Sequence, residues 1–278
     1  MKKKLASLAI MTAFMLSPVI AVAEDQQLSE VPVAEYQQLS EVFTFNQRHK
    51  DMIQTGFDNV VSPSYNRMGM DINTQDIFTD DYLLHNFIET LLSPVYDVLD
   101  EIIEELLAPL DVDARLNIIL DTVYIPVEHP VFDNIRVSVE SQGDFIVTNI
   151  GYSFLNDDLK EFLNPYSEIS SFNSQYNRTA FEILDVKDPW SNATAVRLRS
   201  SNRFFVRDDG MIFIDSGSIS GSFSNGDNRL VQSVTPLGGS VHNNGTRTAS
   251  SSQLFTVEHI NPNTGLTDTI RWNVVVRP

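Results

Sequence analysis

Hydrophobic positions recur with two different periods along this chain, and the change of period divides it. Between residues 79 and 110 the spacing is helical. Leu83, Leu84, Phe87, Ile88, Leu91 and Leu92 fall three or four apart. After Ser93-Pro94 the pattern restarts with Val95, Val98, Leu99, Ile102, Ile103, Leu106 and Leu107. Side chains at this spacing share one helix face. Asp97, Asp100, Glu101, Glu104 and Glu105 take the opposite face. Thr79 is a candidate N-cap, Asp80 and Asp81 suit the positive end of a helix, and Pro109 closes the run. The pattern predicts two amphipathic helices, or one kinked helix, with an anionic outer side.

From residue 112 onward the period shortens towards two. Leu116 to Ile125 reads as a strand or a helix-to-strand junction. Ile135 to Val139 alternates, turns through Ser141 to Asp144 and continues in Phe145 to Ile150, which predicts a hairpin. A short helix is expected near Asn156–Leu163, stopped by Asn164-Pro165, within an otherwise mixed stretch from 151 to 194. In the last third, Val196 and Leu198 alternate with Arg197 and Arg199. Arg203 to Arg207 turns through Asp208-Asp209-Gly210 into Met211 to Ile214, an Asp-Gly hairpin signal. Leu254 to Ile260 and Thr267 to Val276 flank a turn at Asn261 to Gly265. Residues 215–253 are rich in Ser, Gly and Asn, and Gly217 to Gly221 reads as surface loop.

These patterns predict an α+β chain: an acidic amphipathic helical N-terminal region followed by a mainly antiparallel β, sandwich-like C-terminal region. The expected segments are 1–23, a signal peptide; 24–78, an extended acidic arm; 79–165, a helical pair plus hairpin; and 166–278, a β-rich domain. The arm contains a short repeat, Gln26 to Val31 recurring as Gln37 to Val42. Two copies are too few for a solenoid.

The first segment has the parts an export signal needs: basic Lys2, Lys3 and Lys4, an apolar stretch from Leu5 to Leu16, and the small-x-small site Ala21-Val22-Ala23. The apolar stretch is shorter than the ~20 residues a bilayer span needs. A secreted or periplasmic mature chain cleaved after Ala23 is therefore expected, with no integral span. There is no cysteine, so disulfides, thiolate metal sites and a lipid-anchoring cysteine are all excluded.

Charge is uneven. Without residues 1–23 the net charge falls from −18 to −21. Residues 24–128 hold 21 acidic against 4 basic side chains, and residues 129–278 hold 16 against 12. This balance argues against a nucleic-acid partner, which it would repel. It permits a basic partner, bound divalent cations, or simply solubility in a salty medium, and a protein or cell-envelope partner is expected. Arginines on the strand faces are expected to meet the acidic helices. The exposed-surface candidates are Asp97, Glu101, Glu104 and Glu105, together with Trp190, which follows Asp188-Pro189 in a loop. Trp272, within a strand, is expected in the core.

No catalytic constellation is legible. Gly217-Ser-Ile-Ser-Gly221 has Ile219 where a nucleophile elbow has serine. The five histidines, His49, His85, His129, His242 and His259, show no zinc-protease spacing. No cofactor is implied beyond calcium, for which Asp208, Asp209 and Asp227 are the candidate ligands, with Asp111-Val-Asp113 and Asn156-Asp157-Asp158 as further oxygen-rich turns. None completes an EF-hand loop. The function expected is that of an exported, non-enzymatic binding, adhesion or envelope-assembly protein. The alternatives are a secreted hydrolase with a carboxylate-based site and a membrane-active, toxin-like protein using the 80–110 helices.

Overall fold

A computed structural model describes residues 47–59, 81–129, 131–132, 134–163, 176–226, 229–261 and 264–278. The signal segment, the 24–42 repeat and Asp227 lie outside the described residues. Antiparallel sheets dominate and helices are few, with more than twice as many residues in strands as in helices.

Helix α1 spans Gln47–Asn59 and α2 spans Asp81–Leu107. The helical period from 81 to 107 is thus one continuous helix that runs through Pro94. Its apolar stripe is buried at Ile88, Leu92, Val95, Leu99, Ile102, Ile103 and Leu107. Helix α1 falls within the 24–78 segment expected as an extended acidic arm. Its sequence is polar throughout except at Met52, Ile53 and Phe57, so periodicity carries little signal. Ile53 is fully buried and joins the core formed by α2. A third helix, α3 (Val112–Arg115), is N-capped by Asp111, whose side chain accepts from the Ala114 N–H at 2.8 Å.

Sheet A begins with β1 (Ile119–Pro126), β2 (Asn134–Gln142) and β3 (Phe145–Leu155). After α4 (Asn156–Leu163), it continues with β4 (Arg178–Lys187), β5 (Thr194–Val206), β6 (Ile212–Ile214) and β7 (Ser220–Asn225). The order is β1-β2-β3-β4-β5-β6, with β7 also pairing β5. β3 pairs with β4 along ten residues, so the sheet is continuous across residue 165. Sheet B is β8 (Val231–His242), β9 (Ser250–Ile260) and β10 (Thr267–Val276), in the order β10-β9-β8.

Period-two alternation assigns the faces of sheet A. Ile146, Ile150, Tyr152, Phe154, Phe181 and Ile183 pack with α1 and α2. Phe145, Val147, Leu184, Val186, Val196 and Leu198 pack with Val234, Phe255, Val257, Trp272 and Val274 of sheet B. Trp272 is buried, as expected from its place in a strand, and its indole N–H donates to Gln142 at 2.7 Å. Sheet A is therefore covered on both sides, by helices on one face and by sheet B on the other.

The Ser- and Gly-rich stretch is not loop. It supplies a short 3-10 turn (Ser216–Ser218), β7 and β8. Small residues serve close sheet-to-sheet approach here: a Cβ at Gly221 would collide with Gln253 and Phe255 of β9. Residues usually read as loop formers are strand residues where a neighbouring strand leaves no room for a side chain.

Candidate functional site

The helical layer is fixed to sheet A by ions. Register pairs Asp185 with Arg197 and Ile183 with Arg199 across β4 and β5, on the face turned to α2. Arg197 forks onto Asp185, its Nε and Nη2 each 2.6 Å from a carboxylate oxygen. Such bidentate, charge-assisted pairs are the strong ones. Above them, Asp100 of α2 lies 3.4 Å from Lys187 Nζ and 3.8 Å from Arg197 Nη2. Glu89, further back on α2, contacts Arg199. Arg197 also lies over the ring of Tyr96, 5.2 Å from its centroid. The strand arginines thus meet the acidic helix, and the acids that receive them are Glu89 and Asp100. Burial raises the Asp100 pKa from its ordinary value, against the opposing pull of Lys187.

Four other acids of α2 point away. Asp97, Glu101, Glu104 and Glu105 are exposed. Asp97, Glu101 and Glu104 recur at helical spacing and form an anionic ridge about 10 Å long. Glu105 is paired with Arg48 of α1 at 2.9 Å. Among the described residues, no basic side chain pairs with the other three. Between α1 and α2 an open groove of about 510 Å³ is lined by Arg48, Asp51, Met52, Thr55, Asp97 and Val98. Met52 and Val98 give it apolar lining, and Asp51 and Asp97 bring two carboxylates to it.

Trp190 lies at the end of sheet A that Lys187 and Asp100 close. It is 47% exposed and, among the described residues, the largest of three exposed rings, with Tyr124 and Phe223. The turn that carries it is held at many points. Asp188 accepts from the Trp190 N–H and from Ser191 Oγ, both at 2.9 Å. The Asn192 N–H donates to the Asp188 carbonyl at 2.8 Å. Asn192 adopts φ 59°, a conformation asparagine tolerates better than most residues. Arg115, the last residue of α3, donates to the Pro189 carbonyl at 3.0 Å and to Asn192 Oδ1 at 2.7 Å. The aromatic is thus presented on a turn braced from two elements.

Of the calcium candidates Asp208, Asp209 and Asp227, the last lies outside the described residues. Asp209 accepts from the Met211 N–H at 3.1 Å and pairs with Arg207 at 3.1 Å. That is turn chemistry plus an ion pair. A different group of oxygen and nitrogen donors does converge. Asp144 in the β2–β3 turn, His259 near the end of β9 and Asp268 near the start of β10 place one ligand atom each within 4.8 Å of one another. Sequence spacing concealed it, because Asp144 is more than a hundred residues from its partners. Only the β9–β10 register, which sets His259 opposite Asp268, was foreshadowed by the hairpin pattern.

Buried Glu182 is the other unusual acid. It pairs with Arg136 at 2.7 Å. Burial raises its pKa to about 7, against the pull of Arg136 and Arg277.

Comparisons with protein-family models, with curated proteins and with solved structures find no match to this chain.

Proposed function

We propose that this chain is an exported, non-enzymatic binding module of the cell envelope. It would recognise a basic protein or envelope partner through Trp190 and the acidic ridge of α2. In this reading residues 1–23 direct export. A sandwich-like pair of sheets then serves as a rigid frame, with an acidic helical layer on its outer face.

The observation that carries the proposal is the braced exposure of Trp190. A tryptophan left half in water keeps roughly 100 Å² of apolar surface unburied, worth about 2–3 kcal/mol when a partner covers it. A free loop would let such a ring fold back onto the protein. Here Arg115, Asp188 and Asn192 hold the turn in place. Rigid exposed aromatics are what binding hot spots are made of. The ridge at Asp97, Glu101 and Glu104 sets the sign of the partner.

The hydrolase alternative has less support. Glu182, the acid with the most perturbed pKa, is 3% exposed between the sheets and paired with Arg136, where no substrate reaches it. A membrane-active role would require the stripe of α2 to leave a formed core. Among the described residues, no helix is long and apolar enough to cross a membrane.

The test is retention of native envelope components on immobilised mature protein, with a glycan and peptide panel run in parallel. Salt-sensitive retention of a basic component supports the proposal. Hydrolysis of the panel with no retained component overturns it.

A further inference from the structure

We propose that Asp144, His259 and Asp268 form a binding site for a single divalent transition-metal ion of the kind zinc represents. The site is separate from Trp190 and α2, and stands or falls independently of the binding role.

Three segments build it. The Gly143-Asp144 turn between β2 and β3 supplies the first carboxylate. The β9–β10 register places Asp268 directly opposite His259. Asn261, just past β9, ties the two aspartates together: its Nδ2 donates to Asp144 Oδ2 at 2.9 Å and to Asp268 Oδ2 at 3.0 Å. The Thr264 N–H donates to Asn261 Oδ1 at 3.2 Å, which fixes the amide with its nitrogen towards the carboxylates. Each aspartate keeps its other oxygen for a further partner. Two carboxylates drawn to one neutral amide repel each other. Among the described residues, no lysine or arginine pairs with either.

The histidine supplies the independent pointer to a ligand. His259 is 1% exposed, and its Nδ1 has no hydrogen-bond partner. Buried polar atoms are rarely left so, because an unmade hydrogen bond costs about 1–3 kcal/mol. Its ring stands edge-on to Phe145, with centroids 4.8 Å apart. That contact orients the imidazole without satisfying it. A cation bound to His259 Nδ1 and two carboxylate oxygens would explain the unpartnered nitrogen and the paired acids together.

The donor set selects the ion. Calcium and magnesium prefer all-oxygen shells. One imidazole with two carboxylates suits zinc and its neighbours. Ligand atoms around tetrahedral zinc stand about 3.4 Å apart, so the 4.8 Å limit here closes by small carboxylate rotations. Asp268 is exposed, which leaves the remaining coordination position to water.

The experiment is calorimetric titration of metal-stripped mature protein with zinc chloride, repeated with calcium chloride. In parallel, the ring nitrogens of His259 are followed by NMR. Expected are one zinc per chain, weaker calcium binding, and a shift of the His259 ring signals on zinc addition. Asp268→Asn lies at the surface and should keep the fold while weakening zinc binding by at least about tenfold. His259→Phe should abolish it. No zinc binding by the native chain, calcium binding tighter than zinc, unmoved His259 signals at zinc saturation, or undiminished zinc binding by Asp268→Asn each overturns the proposal.

Discussion

Arg136 reaches across an entire strand to pair with Glu182, its Nη2 2.7 Å from the carboxylate. The strand between them is β3, and the residue at the crossing is Gly151, which pairs with Arg136 on one side and Glu182 on the other. A side chain at 151 would occupy the space of the Glu182 carboxylate. The absence of a Cβ is therefore what allows the ion pair between the sheets. Gly151→Ala is expected to displace Glu182 and to cost about 1–3 kcal/mol in urea-induced unfolding. An unchanged unfolding midpoint would contradict this.

Glu182 makes stability depend on pH in an unusual direction. Burial raises its pKa from 4.5 to about 7 in the folded chain. Between those values the folded state holds a proton that the unfolded state has released. Its contribution is therefore fully present below about pH 4.5 and is lost as pH rises through about 7, by up to roughly 3 kcal/mol. Glu182→Gln should flatten the fall in unfolding free energy between pH 5 and 8. An unaltered slope would count against the assignment.

His129 acts in the opposite sense. Burial lowers its pKa from 6.5 to about 4, against the pull of Asp58, and its Nδ1 accepts from the Val131 N–H at 3.1 Å. The neutral ring is the one that fits. Its contribution is present above pH 6.5 and is lost as pH falls through about 4. An NMR titration should find this imidazole still neutral at pH 5.5. A midpoint near 6.5 would show that the fold does not discriminate.

The buried ions between α2 and sheet A should matter far more than the surface pair beside them. Asp185 is fully buried and answers Arg197 with both oxygens. Asp185→Asn removes half of that compensation and should cost about 3–5 kcal/mol. Arg48→Ala, which breaks the exposed pair with Glu105, should cost no more than about 1 kcal/mol. Equal losses on chemical denaturation would mean that the network does not hold the helix.

Legibility in the sequence followed local pattern. The α2 stripe, the β2–β3, β5–β6 and β9–β10 hairpins, and the short helix at Asn156–Leu163 each carry their own periodicity or turn residues. β4 does not. It is buried along nearly its whole length, on both faces, so Glu182, Asp185 and Lys187 interrupt its hydropathy although all three lie inside. Crowding by neighbouring side chains accounts for Gly221 in β7 and Gly239 in β8, while the rest of β8 is largely exposed. The exposure of Trp190 was readable from Asp188-Pro189. Its bracing by Arg115 was not, because those contacts span 74 and 77 residues and depend on where α3 ends. The Asp144–His259–Asp268 cluster was hidden for the same reason.

The Trp190 turn should loosen without its brace. Arg115→Ala removes the donor to Pro189 and Asn192 while leaving the aromatic in place. The heteronuclear NOE of the Trp190 indole N–H should fall, and that of buried Trp272 should not. A rigid Trp190 in this variant would show that Asp188 alone fixes the turn.

The most direct test of the binding role is the affinity of Trp190→Ala for the basic component retained from the envelope. The side chain is exposed, so stability should change by less than about 0.5 kcal/mol. The account predicts a loss of about 2 kcal/mol in binding, roughly thirtyfold in Kd. A variant that folds normally and binds as tightly as the native chain would contradict it.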